Sequence, residues 1–251
     1  MISLLITAKG VAKSYLRKGS KRRIDALLST DISIKSGELT VITGRSGSGK
    51  TTLLSIISGL LQPDEGCVLY DEEDIYALGD EKLSKLRSRR TGYIPQGQSI
   101  LASLTVLENI LLPASLEGDL SGAKENAAKL LDSLGLSDLK DAYPRELSGG
   151  ELRRAALARA LVNAPDVIFA DEPTGALNRT SSEEVMDELC KLNEEGVTVM
   201  CVTHDSKVAA KCTRVLFIVD GNIGGEFSLD RSKPLRERER ELNNWLLEMG
   251  W

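Results

Sequence analysis

Gly44-Arg45-Ser46-Gly47-Ser48-Gly49-Lys50-Thr51-Thr52 follows the apolar run Leu39-Thr40-Val41-Ile42 and opens onto Leu53-Leu54-Ser55-Ile56-Ile57. The stretch reads as a strand, a glycine-rich turn and the start of a helix. Its pattern, G-x-x-x-x-G-K-[ST], is that of a phosphate-binding loop. Gly44, Gly47 and Gly49 allow a tight winding in which successive N–H groups point at phosphate oxygens. The helix beginning near Lys50 adds unpaired amides and the positive end of its dipole. Lys50 would lie along the β- and γ-phosphates, and the Thr51 hydroxyl would ligate magnesium. An ordinary Gly/Ser-rich surface turn is the plain alternative; the flanking strand and helix weigh against it.

Working outward, the chain has 251 residues, room for one large α/β domain or two small ones. A net charge of −5 gives no electrostatic reason to expect a nucleic-acid partner. Cys67, Cys190, Cys201 and Cys212 form no C-x-x-C pair, so a zinc site is not expected. Three of them lie in or beside apolar stretches, as buried reduced thiols do. Met1 to Lys9 lacks a basic region and is too short and strand-like for a signal peptide. No run approaches the roughly 18 apolar residues of a membrane-spanning helix. A cytoplasmic chain is expected, with any membrane role supplied by a partner.

Residues 2–7, 30–34, 67–70 and 92–96 read as strands, and residues 80–89 as a helix. The basic stretch from Leu16 to Arg23 reads as a solvated loop. Tyr15, just before it, could stack on an adenine ring, or could be a half-buried strand tyrosine. From 97 to about 163 the pattern is helical, in segments starting near Val106, Ala123 and Glu151. Strands resume at 167–170, 197–202 and 215–219, with a helix at about 181–195 between the first two. Short apolar strands alternating with helices predict a mainly parallel sheet covered on both faces. The helical block 97–163 interrupts that alternation and reads as an inserted subdomain. The expected organisation is one domain over 1–230 and a charged, amphipathic C-terminal helix over 231–251. Leu242, Trp245, Leu246 and Met249 recur there at helical spacing, and packing onto the chain's own surface is the favoured reading.

A phosphate loop needs a metal holder and a group that orients water. Val167-Ile168-Phe169-Ala170-Asp171-Glu172-Pro173 offers both. Asp171, at the carboxyl end of a buried strand, would hold magnesium. Glu172, one residue on, could polarise an attacking water. A helix-starting turn is the alternative for Asp-Glu-Pro alone. Leu147-Ser148-Gly149-Gly150-Glu151 reads locally as a helix N-terminus, with Ser148 and Glu151 forming a capping box. Its two glycines have no local need and suit a close approach of a ligand to the backbone.

With these motifs in order, the chain resembles the ATP-binding cassette (ABC) ATPase family along nearly all its length. Gly44 to Thr52 (Gly44, Arg45, Ser46, Gly47, Ser48, Gly49, Lys50, Thr51, Thr52) matches the Walker A loop, and Val167 to Glu172 matches Walker B. Ser148, Gly149, Gly150 and Glu151 match the family signature. Gln96 falls where the family's metal-sensing Q-loop glutamine lies. His204, the chain's one histidine, matches the switch histidine that contacts the γ-phosphate, and Tyr15 matches the adenine-stacking aromatic.

The resemblance implies a P-loop NTPase cassette. That fold has a RecA-like, mainly parallel sheet flanked by helices, an N-terminal antiparallel β subdomain and an inserted helical subdomain. It also implies that ATP and magnesium (Mg2+) are bound, the metal by Thr51, Gln96 and Asp171, with Lys50, Glu172 and His204 catalytic. In the family two cassettes pair head to tail, so Ser148–Glu151 act on the ATP of the opposite subunit. A homodimer on a separate integral-membrane permease, contacted from Gln96 to Leu112, on the inner face of the membrane, is implied.

The long stretch between Tyr15 and Asp31, the segment Leu104–Pro113 and Ala170–Leu177 resemble the lipoprotein-release and macrolide-export branch, whose members work with FtsX-like permeases. Peptide-antibiotic resistance ATPases are related. A regulatory ATPase of the cell-division kind, transporting nothing, is the alternative, and a soluble ABC ATPase fits less well. One departure is Asn178, in the D-loop position where the family usually has aspartate. Asparagine keeps the size and one acceptor but loses the charge, which is expected to weaken coupling between sites or slow hydrolysis.

Overall fold

The computed structural model describes residues 4–16, 23–97, 99–116, 118, 120–175 and 179–251. Most of the basic stretch before Arg23, and the D-loop residue Asn178, lie outside the described residues. In chain order the strands are β1 (Leu4–Leu16), β2 (Arg23–Lys35), β3 (Leu39–Gly44), β4 (Glu65–Tyr70), β5 (Glu73–Asp74) and β6 (Thr91–Ile94), followed by β7 (Val167–Asp171), β8 (Thr198–Val202), β9 (Arg214–Val219) and β10 (Asn222–Ser228). The helices are α1 (Lys50–Ile57), α2 (Asp80–Arg90), α3 (Val106–Ser115), α4 (Ser121–Ser133), α5 (Gly149–Leu161), α6 (Arg179–Glu194), the short α7 (Ser206–Ala209) and α8 (Leu235–Glu248).

Two sheets form. An antiparallel one has the order β2-β1-β4-β5, and the other has the order β10-β9-β3-β8-β7-β6. In the second sheet every neighbouring pair is parallel except β9–β10. The central strands β3, β7 and β8 are buried at every position, as strands covered on both faces must be. Their alternating side chains divide between two cores. Ile42, Val167, Phe169, Met200 and Val202 join α1 and the antiparallel sheet on one face. Val41, Ile168, Ala170, Val199 and Cys201 join α3, α4, α5, α6 and α8 on the other.

Helices α3, α4 and α5 lie between β6 and β7 in the chain, α3 capped by a Thr105–Glu108 box. The segment before Val106 is not helical, unlike the expectation from residue 97 onward. Asn109 accounts for it: its buried side chain accepts from Leu101 N at 2.8 Å and donates to the carbonyls of Leu101, Leu104 and Thr105. The strand β10 carries no strong sequence signal, because Gly224 and Gly225 break its alternation. Their missing side chains make room for Met249 and Trp245 of the C-terminal segment.

Parallel register aligns the strand ends. Ile42 of β3 and Asp171 of β7 both pair with Val202 of β8. The loop after β3, the carboxylate ending β7 and the histidine two residues past β8 therefore emerge along one edge, where open α/β sheets bind ligands.

Candidate nucleotide site

The loop from Gly44 to Gly49 is tightly wound, and Ser48 N donates to the Arg45 carbonyl at 3.2 Å. Gly49 takes φ +105°, and a Cβ there would meet the Ala26 carbonyl oxygen at 2.3 Å. No other residue fits that position. The same contact docks β2 on the loop and brings the hairpin end close, since Tyr15 pairs with Ile24 two residues before Ala26. Tyr15 is 43% exposed there, so its ring has an open face.

Lys50, the first residue of α1, is buried, and its Nζ donates to the carbonyls of Gly44 and Arg45 at 2.8 Å each. Burial pushes the Lys50 pKa down, opposed by the carboxylates of Glu172 and Asp171. The Thr51 hydroxyl donates to Asp171 Oδ1 at 3.2 Å. Burial pushes the Asp171 carboxyl up, the Thr51 hydrogen bond opposes the rise, and Glu172 adds to it. Ser48 Oγ is buried without a partner. Lys50 Nζ spends its hydrogen bonds on carbonyls and Asp171 accepts from a hydroxyl, so magnesium with a polyphosphate would give both groups stronger partners. A Thr hydroxyl beside an Asp carboxylate is a hard-oxygen pair of the kind that holds magnesium together with substrate phosphates.

Glu172 sits at φ +49°, an unfavourable conformation for a glutamate, and such residues concentrate at functional sites. Two hydrogen bonds hold it: its N–H donates to Val202 O at 3.0 Å, and its carbonyl accepts from Gly175 N at 2.9 Å. His204 Nδ1 lies 3.1 Å from Glu172 Oε1 and 2.9 Å from Oε2. The carboxylate can only accept, so Nδ1 carries the proton of this contact, and Nε2 is left to face a ligand. His204 itself is exposed.

Two predicted groups stand apart from this cluster. Gln96 is exposed beyond the end of β6, and among the described residues no hydrogen bond joins it to Thr51 or Asp171. Ser148 caps α5, its amide donating to Glu151 Oε2 at 2.7 Å and its Oγ accepting from Glu151 N at 3.3 Å. The Ser148 hydroxyl, donating to Glu151 Oε2 at 2.7 Å, and then the Ser148 amide hold the Glu151 carboxyl below its ordinary range. Gly149 borders a cavity of about 540 Å³ lined also by Gly97, Arg153 and Gly175, but by neither Lys50 nor Glu172.

Arg153 was not singled out by its residue type. Its buried guanidinium donates to the carbonyls of Pro95 at 3.5 Å, Gly97 at 3.2 Å and Gly175 at 3.0 Å. It thereby ties α5 to the backbone on both sides of Gln96 and to the loop after Glu172. Its place five residues after Ser148, among the buried alanines and leucines of α5, is the available signal.

A glycine loop presenting Lys50 and Thr51 beside a strand-end aspartate makes this a P-loop nucleotide-binding protein. The family model described as "ABC transporter" matches residues 27–175, and the chain belongs to that family. It is 42% identical over 223 residues to the lipoprotein-releasing system ATP-binding protein LolD of Syntrophotalea carbinolica, covering 88% of this chain and 97% of that one. Similarity to the bacitracin export ATP-binding protein BceA of Halalkalibacterium halodurans is 40%, over 87% of each. The macrolide export ATP-binding/permease protein MacB of Campylobacter jejuni is 44% identical over 78% of this chain, which spans only 31% of that longer protein. Among solved structures, the dimeric ABC transporter cassette MJ0796 superimposes with a TM-score of 0.82 at 40% identity, over 90% of this chain and 99% of that one. A post-hydrolysis state of MJ0796 bound to ADP and Pi matches with the same TM-score at 38% identity and the same coverage.

Proposed function

We propose that this chain is the ATP-binding and ATP-hydrolysing subunit of an ABC exporter of the lipoprotein-release, bacitracin-export and macrolide-export kind. The observation that carries this is the convergence of Lys50, Thr51, Asp171 and Glu172 on one strand edge, with His204 hydrogen-bonded to Glu172.

Lys50 leaves the carbonyls of Gly44 and Arg45 to meet the β- and γ-phosphates, and the loop amides donate to the remaining oxygens. Thr51 and Asp171 would hold magnesium, which would supply positive charge against the phosphates. Glu172 orients the attacking water and takes its proton, while His204 holds the Glu172 carboxylate and turns Nε2 toward the γ-phosphate. Ser148, Gly149 and Gly150 close the site from a second copy of the chain, because α5 offers a free N-terminus that no group of its own Walker loop meets. Gln96 senses the metal, and Tyr15 stacks on the adenine.

The permease side is proposed at a cavity of about 530 Å³ between α2 and α3, where Leu60, Leu112, Pro113 and Leu116 meet Lys85. Leu116 is 82% exposed and Leu60 49%, an apolar pair at the surface. An amphipathic cytoplasmic helix of an FtsX-like permease fits that mixture. Leu116→Asp should leave basal hydrolysis unchanged and abolish stimulation by the co-purified permease; unchanged stimulation refutes this surface. For the reaction itself, phosphate release from ATP-Mg is the test. Lys50→Ala should reduce it at least about 100-fold, and full activity in that variant overturns the site.

A further inference from the structure

The C-terminal helix reaches the phosphate loop. Arg45 Nη2 donates to the Gly250 carbonyl at 2.7 Å across 205 residues of sequence. The carbonyl of the same Arg45 accepts from Lys50 Nζ at 2.8 Å. A single run of hydrogen bonds therefore leads from the end of α8 to the loop's cation. Helix ends leave carbonyls unpaired, and a guanidinium is a suitable partner for them.

The helix is held firmly enough to act on that contact. Leu242 and Leu246 are buried, and Trp245 stacks on Phe227 at 5.2 Å and meets Phe217 edge-on at 6.4 Å. Phe217 pairs with Thr43, two residues before Arg45. Gly250, at φ +82°, turns the chain so that Trp251 N returns to the Leu246 carbonyl at 3.0 Å. At its other end, Leu235, Arg236 and Glu239 share a cavity of about 640 Å³ with His204 and Asp205. One helix thus borders the nucleotide site at both the loop and the histidine.

We propose that α8 is a positioning element for the nucleotide site and that it acts through Arg45. By holding the guanidinium, the helix end fixes the loop backbone whose carbonyls Lys50 must leave when phosphate binds. Arg45 is then a positioning residue, and the inference rests on the ATP-binding reading above.

Steady-state hydrolysis by the full chain tests it, with KM for ATP separated from kcat. Arg45→Ala should raise KM roughly fivefold with kcat little changed, as loss of one charge-assisted hydrogen bond to the loop implies. Arg45→Lys, which can still donate, should recover part of the loss. Trp245→Ala should raise KM in the same direction, and the double variant should be no worse than Arg45→Ala alone. Fully additive effects would mean that the helix does not act through Arg45, and an unchanged KM in Arg45→Ala also overturns the proposal. If Trp245→Ala lowers the melting temperature enough to confuse the reading, Gly250→Val replaces it. That exposed position strains only the turn, and the same non-additive pattern is expected. A chain that binds no ATP refutes the parent reading; one that binds ATP with KM indifferent to every variant refutes only the role of α8.

Discussion

Asp171 shows at the residue scale how the ligand-free site is poised. Its buried carboxyl has a raised pKa, so the folded chain keeps that proton to higher pH than the unfolded chain does. The stability it contributes is present below the unfolded carboxylate range and is lost as pH rises through the raised value. Asp171→Asn removes that loss. At about pH 7 its melting temperature without nucleotide should rise above that of the unaltered chain. The gain should shrink as the pH falls toward about 4, while nucleotide-dependent stabilisation by ATP-Mg disappears. A destabilised variant, or a gain indifferent to pH, contradicts this account. The residue types at 44–52 and 171–172 were legible in the sequence, because phosphate and metal chemistry admits few substitutes at fixed spacing, whereas His204 stood out only through the family resemblance. Lys50 turning back onto its own loop was not legible, since backbone carbonyls leave no trace in side-chain patterns. Nor was the contact of Arg45 with Gly250, which depends on how two distant segments pack.

Among the elements, α8 carries the clearest periodic signal and α5 the least obvious consequence. Leu242, Trp245, Leu246 and Met249 recur at a spacing that sets them along one helical face, and in the fold that face covers β9 and β10. Leu242→Ala should cost about 2–5 kcal/mol in a urea melt, the usual range for a fully buried leucine; a loss below about 0.5 kcal/mol would place the helix off the core. The helix α5 is mostly alanine on its buried face, and one arginine there decides how it is tied to its neighbours. Arg153 donates to three carbonyls of two separate loops, and burial lowers its pKa. A charged residue on such a helix reads as solvent-facing when only the sequence is in view. By contrast, β10 has little sequence signal because its glycines answer to what Trp245 and Met249 place beside them.

At the scale of the whole molecule, the two halves of the chemistry face different ways. Lys50, Thr51, Asp171, Glu172 and His204 form one connected group, whereas Ser148 to Glu151 satisfy one another in a capping box and, among the described residues, hydrogen-bond to none of them. A chain that carried its complete site would bring these together. The alternation of strands and helices, and hence the parallel sheet, followed from hydrophobic patterning alone. The proposed head-to-tail pairing did not, because it depends on a surface that makes sense only against a second copy.

The most direct test of that pairing is the mass in solution of Glu172→Gln with ATP and magnesium, measured by sedimentation with the bound nucleotide counted. Slowed hydrolysis should trap a dimer holding two nucleotides, one for each Walker loop, which reverts to monomer when nucleotide is removed. A monomer that binds ATP-Mg fully and never dimerises would contradict the claim that each nucleotide is closed by the signature of the opposite chain.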